Sequence, residues 1–214
     1  MIICEIGINH CGRMELAREL ICKAKEGGGD LAKFQLFDGE VYPEVKDVAL
    51  TKEQAFMLFG YGKEVGIEVF FSVYDVERVG WCEEMGVKRY KISCAQNKNR
   101  GLLKAVQNTN KPYLVSSERF HPISLKHPQL FCVPKYPASL DDLHLNNISF
   151  NFYEGFSDHT IGIDCAKIAI VRGCKILEKH FAVDHKTGVD AEWSMDCKEL
   201  RELKRWEEVC KKVL

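Results

Sequence analysis

Two histidines and two lysines stand at or near the ends of short apolar runs, where they could act together. His159 falls in Gly155-Phe156-Ser157-Asp158-His159-Thr160, and His180 in Leu177-Glu178-Lys179-His180-Phe181. Neutral imidazoles at the ends of adjacent strands can hold a divalent ion and leave positions open for substrate and water. They suit zinc, manganese, iron or cobalt better than calcium. Asp158 is adjacent to one of them, and the plainer reading of each histidine is a satisfied polar residue. Lys33 lies between Ala32 and Phe34, and Lys91 between Tyr90 and Ile92. A buried lysine is costly unless paired, and two on nearby strands repel each other. A bound anion, phosphate first of all, resolves both problems. The alternative is a pair of salt bridges to Glu5 or Glu178. Glu5, Asn9, Gln35, Ser93, Gln96, Ser116 and Tyr136 fall near the same run ends. His185 follows the last run and could reach the same mouth, whereas His121, His127 and His144 read as solvated.

The runs that carry these residues alternate with helical patterns along the whole chain. They cover residues 2–8, 31–36, 67–73, 89–93, 112–116, 129–133 and 175–181, with the least distinct one between 148 and 157. Leu16, Ala17, Leu20, Ile21 and Ala24 form a helical stripe that stops at Gly27-Gly28-Gly29. Thr51 and Gln54 read as a capping box for a helix to about residue 65, and Asp196 with Glu199 as another for the last helix. Further helices are expected over 76–85 and 163–172. Eight alternating units argue for a parallel sheet closed into a compact (β/α)8 TIM barrel, an α/β fold. A barrel of this type takes ~250 residues. At 214 residues the loops must be short, and the fifth and sixth helices read as vestigial. No Gly-rich dinucleotide fingerprint follows the first run, which weighs against an open doubly wound sheet. In a parallel barrel the carboxyl ends of the strands form the active rim, which is where the polar residues above fall.

Composition narrows the class. Thirty basic against 31 acidic residues give a net charge of -1, so nothing points to nucleic acid. Ten cysteines are scattered without a CxxC pair, which argues against a zinc ribbon and for a reducing compartment. Neither a signal peptide nor a membrane span is apparent, so a single cytoplasmic domain over residues 1–214 is expected.

At these residues the chain resembles the sialic acid synthase family, which includes the N-acetylneuraminate, legionaminate and pseudaminate synthases. The matching elements are Glu5-Ile-Gly-Ile-Asn-His10, Lys33-Phe-Gln35, Tyr90-Lys91-Ile92, Lys111-Pro112 with Ser116, Tyr136-Pro137, Gly155 to Thr160 and Leu177 to Phe181. Gly188, Asp190 and Ser194 continue the pattern. The resemblance implies condensation of phosphoenolpyruvate with an open-chain N-acylated aminosugar. His159 and His180 would then hold one manganese- or magnesium-like ion that polarises the sugar aldehyde. Lys33, Lys91 and Ser116 would hold phosphoenolpyruvate, and Glu5 would position water or the acceptor. Gln96 stands in the catalytic set at a position the family often gives to a carboxylate. Asn9, Gln35, Ser93, Tyr136 and Asp190 would contact substrate. Val73 replaces a threonine, Pro134 an asparagine, and Ser93-Cys94-Ala95-Gln96 a Ser-Gly-Glu element. The small antifreeze-like C-terminal domain of the family has no counterpart before Leu214, so a homodimer or a separately encoded domain is the expected partner. A degenerate barrel that binds a sugar or protein, and a metal-dependent aldolase or isomerase, are the alternatives.

Overall fold

The computed structural model describes residues 1–119 and 127–214. Eight parallel strands close into a barrel in sequence order: β1 (Ile2–Gly7), β2 (Leu31–Leu36), β3 (Glu68–Val73), β4 (Tyr90–Ile92), β5 (Tyr113–Ser117), β6 (Gln129–Cys132), β7 (Gly155–Asp158) and β8 (Ile176–His180). Around it run α1 (Met14–Glu26), α2 (Lys52–Val65), α3 (Val76–Met85), α4 (Arg100–Asn108), α5 (Asp164–Val171) and α6 (Cys197–Val213). The connection after β6 holds two short 3-10 turns, Leu140–Asp142 and Leu145–Asn147, where a sixth helix would lie. The expected fifth helix and His121 fall on residues 120–126, outside those described.

Both capping boxes form. Gln54 N–H donates to Thr51 Oγ1 at 3.2 Å and Thr51 N–H to Gln54 Oε1 at 2.9 Å, while Asp196 and Glu199 exchange the same pair of bonds at 2.9 and 2.8 Å. Each satisfies helix-end donors that would otherwise be orphaned.

The period-2 pattern of the strands decides what faces the barrel axis. Ile3, Leu31, Phe70, Leu114, Leu130 and Ile176 form one closed apolar cluster, the plug of the barrel. Two residues further along the same strands come Glu5, Lys33, Ser72, Ser116, Cys132 and Glu178, all lining one cavity. An apolar floor therefore lies below a polar layer that opens at the carboxyl rim. The residues between, such as Ala32, Phe71, Tyr90, Val115 and Phe156, face outward and join the larger cluster under the helices. Val73 is one of these, so its side chain packs toward the helices. At the β7–β8 pairing, a Cβ on Gly155 would lie 2.4 Å from the Ile176 carbonyl oxygen, so glycine lets the two strands close.

Among the described residues no helix is long and apolar enough to cross a membrane. All ten cysteines are free thiols.

Candidate active site

The polar layer opens into a cavity of about 270 Å³ at the carboxyl rim. Register brings its charged groups side by side: Glu5 pairs with Lys33 on one flank and with His180 on the other, and Ser157 pairs with Glu178. Lys33 Nζ lies 2.5 Å from Glu5 Oε2, 3.5 Å from Glu178 Oε2 and 2.8 Å from Ser72 Oγ. Lys91 Nζ lies 3.2 Å from Glu178 Oε1. Of the two sequence readings of the buried lysines, the carboxylate pairing is therefore the one formed. Burial alone would push Glu178 up, but Lys33 and Lys91 outweigh it and bring its carboxyl down to about 2. For Lys33, burial opposes the charge, yet Glu178 and Glu5 more than offset it and raise its pKa. Two ammonium groups and two carboxylates thus balance on the cavity floor. An ammonium has three donors. Lys33 is ringed by three oxygens, while Lys91 meets one carboxylate oxygen among the described residues. Ser116 Oγ, buried in the lining of the same cavity, has no hydrogen-bond partner among them. A buried hydroxyl without a partner calls for a ligand or water.

His159 and His180 face each other across the rim, with ring centroids 5.6 Å apart. His159 Nδ1 lies 2.7 Å from the Val133 carbonyl oxygen. A carbonyl can only accept, so the proton sits on Nδ1 and the lone pair on Nε2. Nε2 lies 3.3 Å from Ser157 Oγ, but that hydroxyl donates its one hydrogen to Glu178 Oε1 at 2.9 Å. The Nε2 lone pair stays unengaged. Burial, helped by neighbouring His180, lowers the His159 pKa to about 4, so the ring is neutral at pH 7. His180 Nδ1 lies 3.2 Å from Asp190 Oδ2, although too far off line to count as a hydrogen bond. Donor chemistry, neutrality and orientation at His159 all fit a metal ligand, and Asp190 stands where a supporting carboxylate would.

The outward neighbours of the two histidines form a brace. Lys179 Nζ reaches Asp158 Oδ2 at 3.1 Å and the Thr160 carbonyl at 2.7 Å, and both ion-pair side chains are fully buried. Asp158 also accepts from Thr160 N–H and Oγ1 at 2.9 and 2.7 Å. Asp158 is therefore no neighbour of a metal site, because one step along a strand turns a side chain through the wall.

Other expected residues divide between lining and support. Glu5, Gln35, Ser93, Ser116, Tyr136 and Asp190 line the cavity with the lysines and histidines. The Tyr136 ring lies tilted against His159, with centroids 4.3 Å apart. Gln96 does not line it: Nε2 donates to Tyr42 at 2.9 Å and Oε1 accepts from Asn99 at 3.0 Å, in the turn behind the rim. Asn9 is a clasp. Its Nδ2 donates to the Phe181 carbonyl and Ser194 Oγ at 3.0 and 2.9 Å, and its Oδ1 accepts from Asp190 N–H at 2.7 Å. Gly188, at φ 135°, passes so close that a Cβ would lie 2.5 Å from Asn9 Oδ1. Asn9 thereby fixes the loop that presents Asp190. His185 lies outside the cavity, 3.4 Å from Glu199. With Asp196 it forms the one three-residue group of convergent ligand atoms among the described residues, on carboxylates already used in the α6 cap. His127 stacks on Tyr113 at 3.7 Å and is half-buried. Tyr74, Cys94, Cys132, Ser157 and Glu178 line the cavity without having been singled out as site residues. Strand parity could have found Cys132 and Glu178, which lie two residues beyond apolar plug positions.

Residues 38–119 and 126–214 match the NeuB family. The chain belongs to that family. It is an enzyme of the carbon–carbon bond-forming synthase kind. The N,N'-diacetyllegionaminic acid synthase of Legionella pneumophila is 29% identical, over 94% of this chain and 69% of its own length. The human N-acetylneuraminate-9-phosphate synthase is also 29% identical, over 95% of this chain and 68% of its own. The crystal structure of an N-acetylneuraminic acid synthetase from Leptospira borgpetersenii superposes with a TM-score of 0.92 at 27% identity, covering 99% of this chain and 84% of that one. The NeuB membership and this superposition agree with the barrel read from the strand pattern.

Proposed function

We propose that this NeuB-family barrel condenses phosphoenolpyruvate with an open-chain N-acylated aminosugar, giving a nonulosonic acid and phosphate. The observation that carries the reading is the convergence of a neutral imidazole with an unengaged Nε2, a second imidazole, a lysine with donors to spare and an unpartnered serine on one cavity. His159 and His180 would hold a divalent ion, manganese or magnesium by family likeness. When bound, that ion supplies Lewis-acid polarisation of the sugar carbonyl, worth several kcal/mol.

The protein's own groups account for the rest. Lys91 and Ser116 Oγ receive the phosphate or carboxylate of phosphoenolpyruvate. Lys33 holds Glu5 and Glu178 in place, and with Lys91 it keeps Glu178 ionised. Glu5 Oε1 accepts from Gln35 Nε2 at 3.0 Å, and both side chains line the cavity, where they would position the acceptor or water. Placement of two substrates in one pocket converts a bimolecular attack into an effectively unimolecular one. Carbon-3 of the enol attacks the aldehyde carbon, water adds at carbon-2, and phosphate leaves with its bridging oxygen. Tyr136, over His159 at the mouth, meets the sugar. Residues 1–214 act as one barrel unit in this reading.

The test is phosphate release from phosphoenolpyruvate with manganese and a panel of N-acylated aminosugars. Release that requires both sugar and metal, and that falls at least a hundredfold in His159→Ala and His180→Ala, is expected. A folded, manganese-loaded protein that is silent across the panel would overturn the reading.

A further inference from the structure

The Glu5–Gln35 bond on the cavity wall is held by a third residue. A carboxylate can only accept, so Gln35 turns its amide nitrogen to Glu5 and its carbonyl oxygen away. The Tyr74 hydroxyl, just beyond the end of β3, donates to that oxygen at 3.4 Å. Burial first, and then the Glu5 carboxylate, push the Tyr74 phenol above its usual value, so the hydroxyl keeps its hydrogen. Glu5 is thus met at both oxygens, by Gln35 Nε2 at 3.0 Å and by Lys33 Nζ at 2.5 Å, and Gln35 at both ends of its amide. The second Nε2 hydrogen of Gln35 has no acceptor among the described residues.

The backbone and the neighbouring rings are shaped around this chain of contacts. The β1–β2 register shifts between Glu5 and Gly7, and Gly7 takes a left-handed φ of 55°. A Cβ there would lie 3.1 Å from Gln35 Nε2 and 3.2 Å from Glu5 Oε1, so glycine is what leaves the bond uncrowded. On the other side, the Tyr74 ring meets Phe37 and Tyr42 edge to face, with centroids 5.9 and 5.6 Å apart. Tyr42 is in turn tied to the turn after β4, where Gln96 Nε2 donates to its hydroxyl at 2.9 Å. Tyr74, which itself lines the cavity, is therefore aimed at Gln35 by packing from three loops.

We propose that Tyr74 is a positioning residue, which acts through Gln35 to fix the Glu5 carboxylate and the spare Gln35 N–H toward the acceptor. The proposal rests on the condensation reading above and says how its acceptor side is held. The terminal torsion of a glutamine is broad, so an amide held at one end only can turn. Without the Tyr74 hydroxyl, Gln35 swings and the Glu5 oxygen it holds swings with it. Lys91 and Ser116, which receive phosphoenolpyruvate in that reading, have no contact with this chain of bonds. Turnover should therefore suffer while affinity for phosphoenolpyruvate does not.

Phosphate release is followed in the parent, Tyr74→Phe, Gln35→Ala and the double variant, each with a melting curve to show that it is folded. Tyr74→Phe keeps the ring and its edge contacts and removes the hydroxyl alone. Its kcat should fall roughly 3- to 10-fold, the worth of one neutral hydrogen bond. The KM for phosphoenolpyruvate should stay within about twofold of the parent's. Adding Tyr74→Phe to Gln35→Ala should cost nothing more, because the link is already cut. Equal losses in the two backgrounds, or a change confined to the phosphoenolpyruvate KM, would overturn the proposal. A second readout asks nothing of the reaction: the heteronuclear NOE of the Gln35 side-chain amide in isotopically labelled protein, assigned by its disappearance in Gln35→Ala. It should fall in Tyr74→Phe, and an unchanged value overturns the positioning role. A protein silent toward phosphoenolpyruvate whose Gln35 amide loosens in Tyr74→Phe would sink the condensation reading and leave the link from Tyr74 to Glu5 standing.

Discussion

Replacing Glu178 with glutamine probes the charge balance of the cavity floor. The substitution keeps the shape, and an amide oxygen can still accept from Ser157. Lys91 loses its carboxylate, and Lys33 keeps only Glu5. Breaking a buried pair from one side costs ~3–5 kcal/mol, because the partner charge is stranded. The direction of its pKa shift gives the same order: a carboxyl brought from 4.5 to about 2 corresponds to ~3 kcal/mol of preference for its charged form. For a chain of this size each kcal/mol moves the melting temperature by ~2–4 °C, so the variant should melt roughly 6–20 °C lower at pH 7. The pH dependence follows from the direction of the shift. A carboxyl depressed in the folded state contributes stability above its unfolded value of 4.5, and that contribution is lost as pH falls through about 2. The parent and variant curves should therefore converge on acidification across that window. The variant cavity also carries one more positive charge, so inorganic phosphate should raise its melting temperature more than it raises the parent's. Differential scanning calorimetry with and without phosphate measures all three effects. A drop under about 2 °C at pH 7, or a phosphate shift no larger than the parent's, would refute the charge-balance argument.

Asn9→Ala releases the loop that carries Asp190, and manganese affinity measured by calorimetry should fall ~10–100-fold, as for other groups that orient metal ligands; unchanged affinity would show that the clasp does not matter to the histidines. Gly155→Ala drives a Cβ to 2.4 Å from the Ile176 carbonyl oxygen and should cost ~1–3 kcal/mol, seen as a lower denaturant midpoint with an unchanged slope. His10 and His159 are both held neutral to about pH 4 by burial, against 6.5 when exposed. The unfolded chain binds more protons between those values, so stability should fall as pH drops from 6.5 to 4, with proton uptake on unfolding. Urea titrations across that range that show no slope would contradict the burial of these rings.

Much of the barrel was legible because each strand had turn signals at its ends and each helix a period of its own. The 31–36 strand and the 76–85 helix came out at the expected bounds. The two capping boxes were readable because capping is local chemistry, three residues apart. The seventh strand was indistinct because it is four residues long, Gly155–Asp158, and approached through 3-10 turns with no periodicity of their own. At the site, the lysines, histidines and Ser116 were legible from type and placement alone. Asp158 and Gln96 misled for two different reasons. Asp158 was one residue out of phase with the inward face, and Gln96 sits in a turn, where period-2 arguments do not reach. Asn9 looked like a substrate contact because its partners, Phe181, Asp190 and Ser194, lie more than 170 residues away and cannot be anticipated from its own neighbourhood.

The Asp158–Lys179 pair has a consequence for how the rim meets an ion. Each member sits one residue before a histidine, on the opposite side of the wall, and ties the tops of β7 and β8 together from outside. The gap between the two imidazoles is thus set by the masonry of the barrel and not by whatever arrives in it. Loading such a gap demands little rearrangement, and a cation of unsuitable radius would have to bend two hydrogen-bonded strands to be held. If the two histidines hold an ion as proposed, its selectivity would then rest on two buried residues outside the cavity.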